Sequence, residues 1–360
     1  MIRSLASDRD VTALGTAPSR TIGVSSRLLP EWPSYPRTRR LALLSLRRYE
    51  PLLWNAQLRQ LARRLADECF DLVVSHDLDL LPLAARIVGQ GKLLFDAREF
   101  YPKHFENSWT WRTFYQPLNH HLCRTYLPRC DRVVTVSWGL ADAYREHYNA
   151  PASVLLSVPP YLELQPSPVR DDLVRIVHHG NATSARRIEG MIEIMDHLPD
   201  SFGLDLILMP TDAGYFKRLQ GMAERRGNVR ILPPLPYDDL VPGTNDYDIG
   251  IVFCPPTTFN IRHGLPNKLF EFVQARLAVA VGPSPDMQRV LRQHDCGIYA
   301  EDFEPASMAS AIRNTTLADL RRLKSHADVA ARELNAEVQS RAITDMVDRL
   351  LDEGRENGGS

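Results

Sequence analysis

Arg262-His263-Gly264-Leu265-Pro266-Asn267-Lys268-Leu269-Phe270-Glu271-Phe272 follows the apolar run 249–253, and the order of these two pieces decides the fold. A short continuous apolar run reads as a strand covered on both faces. Proline is tolerated at the first helical position because it has no N–H to lose, so the spacing predicts a helix opening at Pro266. Strand, loop and helix in succession are the unit of a parallel α/β sheet.

Working outward, the same alternation recurs. Strands are expected at 174–178, 204–209, Val229–Leu232 and Ala278–Val281, and in the first half at 10–14, 71–75, 92–96, 132–136 and 153–156. A Pro-rich stretch, Pro159-Pro160-Tyr161 to Pro166-Ser167-Pro168, interrupts the pattern and reads as a linker. At 360 residues the chain suits two domains better than one core. The predicted organisation is two doubly wound α/β domains facing a central cleft, 1–162 and 163–335, followed at 336–360 by a helix whose Gly-rich end should fray.

Composition narrows the class. With 44% hydrophobic and 24% charged residues the chain has enough apolar surface to fold as a globular protein. Lys plus Arg (43) nearly cancel Asp plus Glu (44), so no global charge argues for nucleic acid as a partner. Five cysteines without a paired spacing read as buried, reduced thiols rather than a metal site. No run resembles a signal peptide or approaches a membrane span, which points to the cytoplasm.

Three groups of residues carry chemistry. In the opening stretch Asn267, Lys268 and Glu271 lie three and four positions apart and share one side of the first turns. A helix N-terminus beside a lysine is an anion site, and Glu271 within an apolar helix needs donors such as two vicinal sugar hydroxyls. A local Lys268 to Glu271 ion pair is the plainer alternative. The second group is His178-His179-Gly180-Asn181-Ala182-Thr183-Ser184-Ala185-Arg186-Arg187-Ile188-Glu189. It predicts a strand, a glycine turn and a helix capped by Thr183 or Ser184 with both arginines in its first turn. Cations there oppose the helix dipole and call for an anion, unless Arg187 simply pairs with Glu189. The third group, Ser75-His76-Asp77-Leu78-Asp79 and Asp96-Ala97-Arg98-Glu99-Phe100-Tyr101-Pro102, falls where ligands sit in open α/β sheets, outside the C-terminal strand ends, although polar residues there also serve as caps. A basic stretch from Arg37 to Arg64 could lie against an anionic membrane surface or be a solvated helical face.

At these residues the sequence resembles glycosyltransferase family 4, the retaining GT-B enzymes. The likeness runs through Ser75-His76-Asp77, Leu94-Phe95-Asp96-Ala97-Arg98-Glu99, Asp131-Arg132-Val133-Val134-Thr135-Val136-Ser137, Gly180 with Arg186, Pro266-Asn267-Lys268-Leu269-Phe270-Glu271 and Gly282-Pro283-Ser284-Pro285-Asp286-Met287. The resemblance implies a GT-B fold and a hexosyltransferase acting in polysaccharide or glycoconjugate assembly. The donor would be a UDP- or GDP-linked sugar and the acceptor a glycan or a lipid-linked glycan. It implies catalytic roles for His76, Asp77, Asp96, Arg98 and Glu99, and donor binding by Gly180, Asn181, Arg186, Arg187, His263, Asn267, Lys268 and Glu271. Residues around 233–236 would border the base. No cofactor and no obligatory metal are implied, and Asp77-Leu78-Asp79 matches a metal motif only in form.

The chain departs from the family pattern in three places. His263 stands where the first of two paired glutamates is expected, and Arg98 where many members carry histidine. Ile2-Arg3-Ser4-Leu5 is similar to the end of the family's first helix, so an upstream start of the chain, or weak transfer, is the expectation. A nucleotide-sugar epimerase, a phosphorylase and a non-catalytic partner subunit on the same fold are the competing readings.

Overall fold

Runs such as Ile249–Val252 and Ala278–Val281 are buried at every position, as parallel strands with helices on both faces must be. The computed structural model describes residues 1–358, with side chains to Glu353. Its strands are β1 (Val11–Gly15), β2 (Val24–Leu28), β3 (Leu72–Ser75), β4 (Lys92–Ala97), β5 (Arg132–Thr135), β6 (Ala152–Val154), β7 (Val174–Asn181), β8 (Phe202–Met209), β9 (Val229–Leu232), β10 (Ile249–Val252), β11 (Ala278–Val281) and β12 (Gly297–Tyr299). The chain divides into two units, the first of Met1–Leu156, Thr258–Asn260 and Ser340–Ser360, the second of Ser157–Thr257 and Ile261–Gln339.

In the second unit six parallel strands run in the order β12-β11-β10-β7-β8-β9. Chain order reverses between β7 and β10, and such a switch point opens a crevice at the carboxyl ends of the strands. The pairing of β10 with β7 stops at Gly250↔Val177. From His178 onward the strand pairing of β7 is with β8 alone among the described residues, so its last residues line that crevice. The helix Asn267–Gln274 packs against the sheet with residues Leu269 to Gln274 all buried. Gly250 allows this approach: a Cβ there would stand 2.2 Å from Phe272 Cγ.

The first unit holds a four-stranded parallel sheet, β3-β4-β5-β6, and a separate parallel pair, β1-β2. Ile343 and Val347 of the helix Ala336–Gly358 pack with Leu5, Leu94 and Val134. The segment 155–173 carries no regular structure, in keeping with its prolines.

The expected strands are present, with three differences. β2 and β12 were not predicted, because β2 exposes four of its five residues and β12 is three residues long. The strand predicted at 10–14 pairs with β2 rather than extending the larger sheet. Cys69 is exposed, not a buried core thiol like the other four cysteines. The fraying predicted for the end of the chain falls on Gly359 and Ser360, outside the described residues.

Candidate active site

A buried polar cluster lies at the end of β7. His178 is buried and its Nδ1 stands 2.8 Å from the Ile251 carbonyl oxygen. A carbonyl can only accept, so Nδ1 carries the proton and Nε2 offers a lone pair. Lys268 Nζ, 3.1 Å from Nε2, donates to it. Burial first, and then the charge of Lys268, push the His178 pKa well below the ordinary range, which keeps the imidazole neutral.

Lys268 therefore rests on a neutral partner. Loss of solvation, followed by the charge of Arg186, lowers its pKa to about 7. No carboxylate among the described residues pairs with it within 4.0 Å; in particular the local Lys268 to Glu271 bridge does not form. Gly180 makes room for the ammonium. Its φ is +134°, and a Cβ would meet Lys268 Nζ at 2.9 Å.

Glu271 is 6% exposed. Its nearest cationic or imidazole partner is His179 Nε2 at 3.4 Å, outside good hydrogen-bond geometry, and that nitrogen has no hydrogen-bond partner. Burial lowers the His179 pKa to about 3, so the ring is neutral. Burial also raises the Glu271 pKa, opposed by Lys268. The carboxylate borders a cavity of about 140 Å³ with Pro159, Pro160, Tyr237 and Val241. A buried carboxylate without protein donors, open to a small cavity, is equipped to accept hydrogen bonds from a ligand.

The arginine turn differs from the sequence prediction. Ser184–Arg186 forms one 3₁₀ turn, Arg187 adopts a left-handed φ of 49°, and the α-helix starts only at Glu189. The two arginines are thus not in the first turn of that helix. Thr183 caps the 3₁₀ turn by position without a side-chain bond. Glu189 is engaged by Tyr215 and by Arg218 at 3.1 Å, not by Arg187. Arg186 and Asn181 are exposed beside the β7 end, and Asn267 is the exposed first residue of its helix after the N-cap Pro266. His263 Nδ1 lies 2.8 Å from Asp286 Oδ2.

In the first unit β4 and its loop organise a second cluster. Asp96 Oδ2 is 2.8 Å from His76 Nδ1 and 3.8 Å from Arg98 Nε. The Tyr101 hydroxyl donates to Asp77 Oδ1 at 3.1 Å. Glu99 Oε2 contacts His104 Nε2 at 2.8 Å and accepts from Asn260 Nδ2 at 3.2 Å. Asp96, His76 and Arg98 thus share one point, while Glu99 is directed to His104 and Asn260. Sequence reasoning missed His104 and Asn260, and it gave Tyr101, His178 and Asp286 no individual role within the stretches it singled out. Among the described residues no group of three or more His, Cys, Asp or Glu could hold a metal ion.

Comparison with known proteins bears on the fold and on the first part of the chain. Residues 10–163 match the model of Glycosyltransferase Family 4. No curated protein matches the chain. Solved structures do. Sucrose-phosphate synthase from Thermosynechococcus elongatus aligns over 97% of this chain and 98% of its own, with TM-score 0.67 at 13% identity. An E. coli trehalose-6-phosphate structure bound with UDP-2-fluoro glucose aligns over 96% and 94%, with TM-score 0.66 at 12% identity. Anabaena HepE in complex with UDP aligns over 91% and 87%, with TM-score 0.65 at 12% identity. At such identities the structural likeness establishes the fold, and that fold is GT-B. Residues 10–163 carry the likeness to glycosyltransferase family 4, and the fold of the chain is that of the solved structures above.

Proposed function

We propose that the protein transfers a hexose from a nucleotide-diphosphate sugar to an acceptor hydroxyl with retention at the anomeric carbon. In this reading the bond from the anomeric carbon to the diphosphate breaks, one from the acceptor oxygen forms, and the acceptor proton is released. The observation that carries it is the unmatched pair at the end of β7: a lysine set against a neutral histidine, and a buried carboxylate without a donor. A diphosphate would supply the anion that Lys268 and Arg186 lack, and ribose hydroxyls would supply donors to Glu271. Charge grows on the diphosphate as it leaves, so fixed cations there lower the barrier more than they tighten the ground state.

The first unit, with His76, Asp77, Asp96, Arg98 and Glu99, serves the acceptor, a glycan or lipid-linked glycan. UDP is the preferred base carrier, since HepE and the E. coli protein were captured with UDP compounds; GDP is the alternative. The reading asks for no obligatory metal and sets the enzyme in the cytoplasm, where the five free cysteines would stay reduced. Among the described residues no helix is long and apolar enough to cross a membrane. Contact with an inner membrane surface through Arg37 to Arg64 belongs to the same proposal.

A thermal-shift screen with UDP, GDP, ADP and TDP tests it, because a ligand that binds only the folded state raises the melting temperature. UDP or GDP should stabilise the protein and the Lys268→Met variant should lose the effect. If none of the four raises the melting temperature, the donor assignment fails.

A further inference from the structure

Away from β7, a cavity of about 780 Å³ opens in the first unit between the turn at Arg47 to Pro51 and the helix Gln116–Tyr126. Arg47, Arg48, Arg124, His120 and His121 line it. Its only acidic lining residue, Glu50, pairs with Arg59 at 2.9 Å. None of the three arginine side chains forms an ion pair within 4.0 Å among the described residues. Three guanidinium groups therefore share a concavity without a carboxylate partner among the described residues.

The local fold holds these cations at a cost. The helix Arg37–Ser45 ends with Leu46, and Arg47 follows in the left-handed region at φ 54°. Glycine is the usual residue there, because a Cβ crowds the following carbonyl oxygen. Arg47 occupies this left-handed position, and its side chain lines the cavity. The histidines are fixed as well. His121 packs on the buried Tyr49 ring with centroids 4.9 Å apart. His120 Nδ1 is taken by the Tyr148 hydroxyl at 2.6 Å, leaving Nε2 without a partner among the described residues.

We propose that this cavity binds the phosphate group of a ligand other than the sugar donor. Guanidinium groups bring five donors each, more than the two oxygens of a carboxylate can accept, whereas a phosphate offers three or four oxygens and up to two charges. The phosphate belongs either to a soluble phosphate ester or to a lipid headgroup, and the test separates these sources.

The full chain, with UDP present in excess to occupy the donor site, is titrated with inorganic pyrophosphate by calorimetry. The double variant Arg47→Gly/Arg124→Gln should bind roughly tenfold more weakly or worse. Glycine at 47 relieves the left-handed strain, so the variant should keep its melting temperature. The equal-charge pair Arg225→Gln/Arg341→Gln, on exposed positions outside the cavity, should bind like the unaltered chain. Equal weakening in both variants, or no pyrophosphate binding at all, overturns the proposal. Should UDP itself fail to bind, only the donor reading falls, because the contrast between the two variants still reports on this cavity. Cosedimentation with phosphatidylcholine vesicles containing phosphatidic acid, lost in the first variant only, assigns the lipid source. Binding of glucose 6-phosphate without vesicle binding assigns the soluble one.

Discussion

Around Asp96 each carboxylate has a partner within its own unit, whereas around Lys268 the charges are left for something else to complete. Asp96 is met by His76, Glu99 by His104 and Asn260, and Asp77 by Tyr101. Among the described residues Lys268 has a hydrogen bond to the neutral His178 and no carboxylate partner, and Glu271 faces a neutral His179 without a proper hydrogen bond. Groups matched internally cost little in the empty protein and position a substrate. Unmatched groups under partial burial cost stability until a ligand arrives, so a large share of the binding energy is available at that end. In the proposed reading, the contrast gives ligand-dependent charge chemistry to the second unit and orientation to the first.

The largest effect expected from this contrast belongs to Lys268→Met. Turnover at saturating donor should fall about 10²- to 10³-fold, the loss typical of one preorganised transition-state donor, while the empty protein is as stable or more so. The pH dependence follows from the lysine. Its pKa drops from the usual 10.5 to about 7 on folding. Between those values the unfolded chain binds the extra proton, so this group makes stability rise with pH across the window and contributes its full penalty below it. Urea unfolding at the two ends of the window should lose that rise in Lys268→Met. A rise that persists in the variant would show that another group causes it.

Next comes Glu271→Gln. Loss of hydrogen bonds to a charged group should cost roughly 1.5–3 kcal/mol of nucleotide affinity, read by calorimetry. Burial raises the Glu271 pKa, so ionising it costs more in the folded state than in the unfolded one. That penalty is absent below the unfolded value, appears as pH rises through the two pKa values, and is complete above the folded one. The amide should therefore leave the melting temperature near neutral pH unchanged or higher. A large fall in melting temperature with unchanged affinity would make Glu271 a structural residue and erase the distinction between the two regions.

Gly180→Ala sharpens the same point on the backbone. A φ of +134° and a Cβ at 2.9 Å from Lys268 Nζ together predict a loss of roughly 1–3 kcal/mol in stability. The displaced ammonium should also weaken nucleotide binding. Since Nζ ends a flexible chain, the backbone carries most of the strain, and an alanine variant of full stability would show that the turn can relax.

How much of this was readable beforehand depends on the range of the interactions. The buried strands were legible because each is a continuous apolar run, and Lys268 with Glu271 because charges in an apolar helix stand out at three-residue spacing. β2 was not, since Ser25, Ser26 and Arg27 are exposed and leave no apolar run. Thr183-Ser184 followed by two arginines has the pattern of a helix start, yet Arg187 turns left-handed and defers the helix to Glu189. The partners that complete the clusters were hidden for a different reason. Asp286 reaches His263 across 23 positions, Tyr101 reaches Asp77 across 24, and Asn260 reaches Phe100 across 160. Those pairings are products of sheet topology, which local periodicity does not specify.

The smallest effect is expected at Arg98, and it tests the other side of the comparison. Its side chain is 67% exposed, and its Nε stands 3.8 Å from Asp96 Oδ2 while His76 holds the same oxygen at 2.8 Å. Exposed ion pairs contribute about 0–1 kcal/mol, and here the carboxylate keeps its closer partner when the arginine is removed. Arg98→Ala should therefore shift unfolding free energy by no more than about 0.5 kcal/mol and leave nucleotide affinity unaltered. What should change is the KM for the acceptor, because the guanidinium is free to reach out from β4 to a substrate group. Measuring KM for acceptor and for donor separately decides it. An unchanged acceptor KM with weakened nucleotide binding would mean that Arg98 serves the donor, and the division of labour between the two clusters would have to be redrawn.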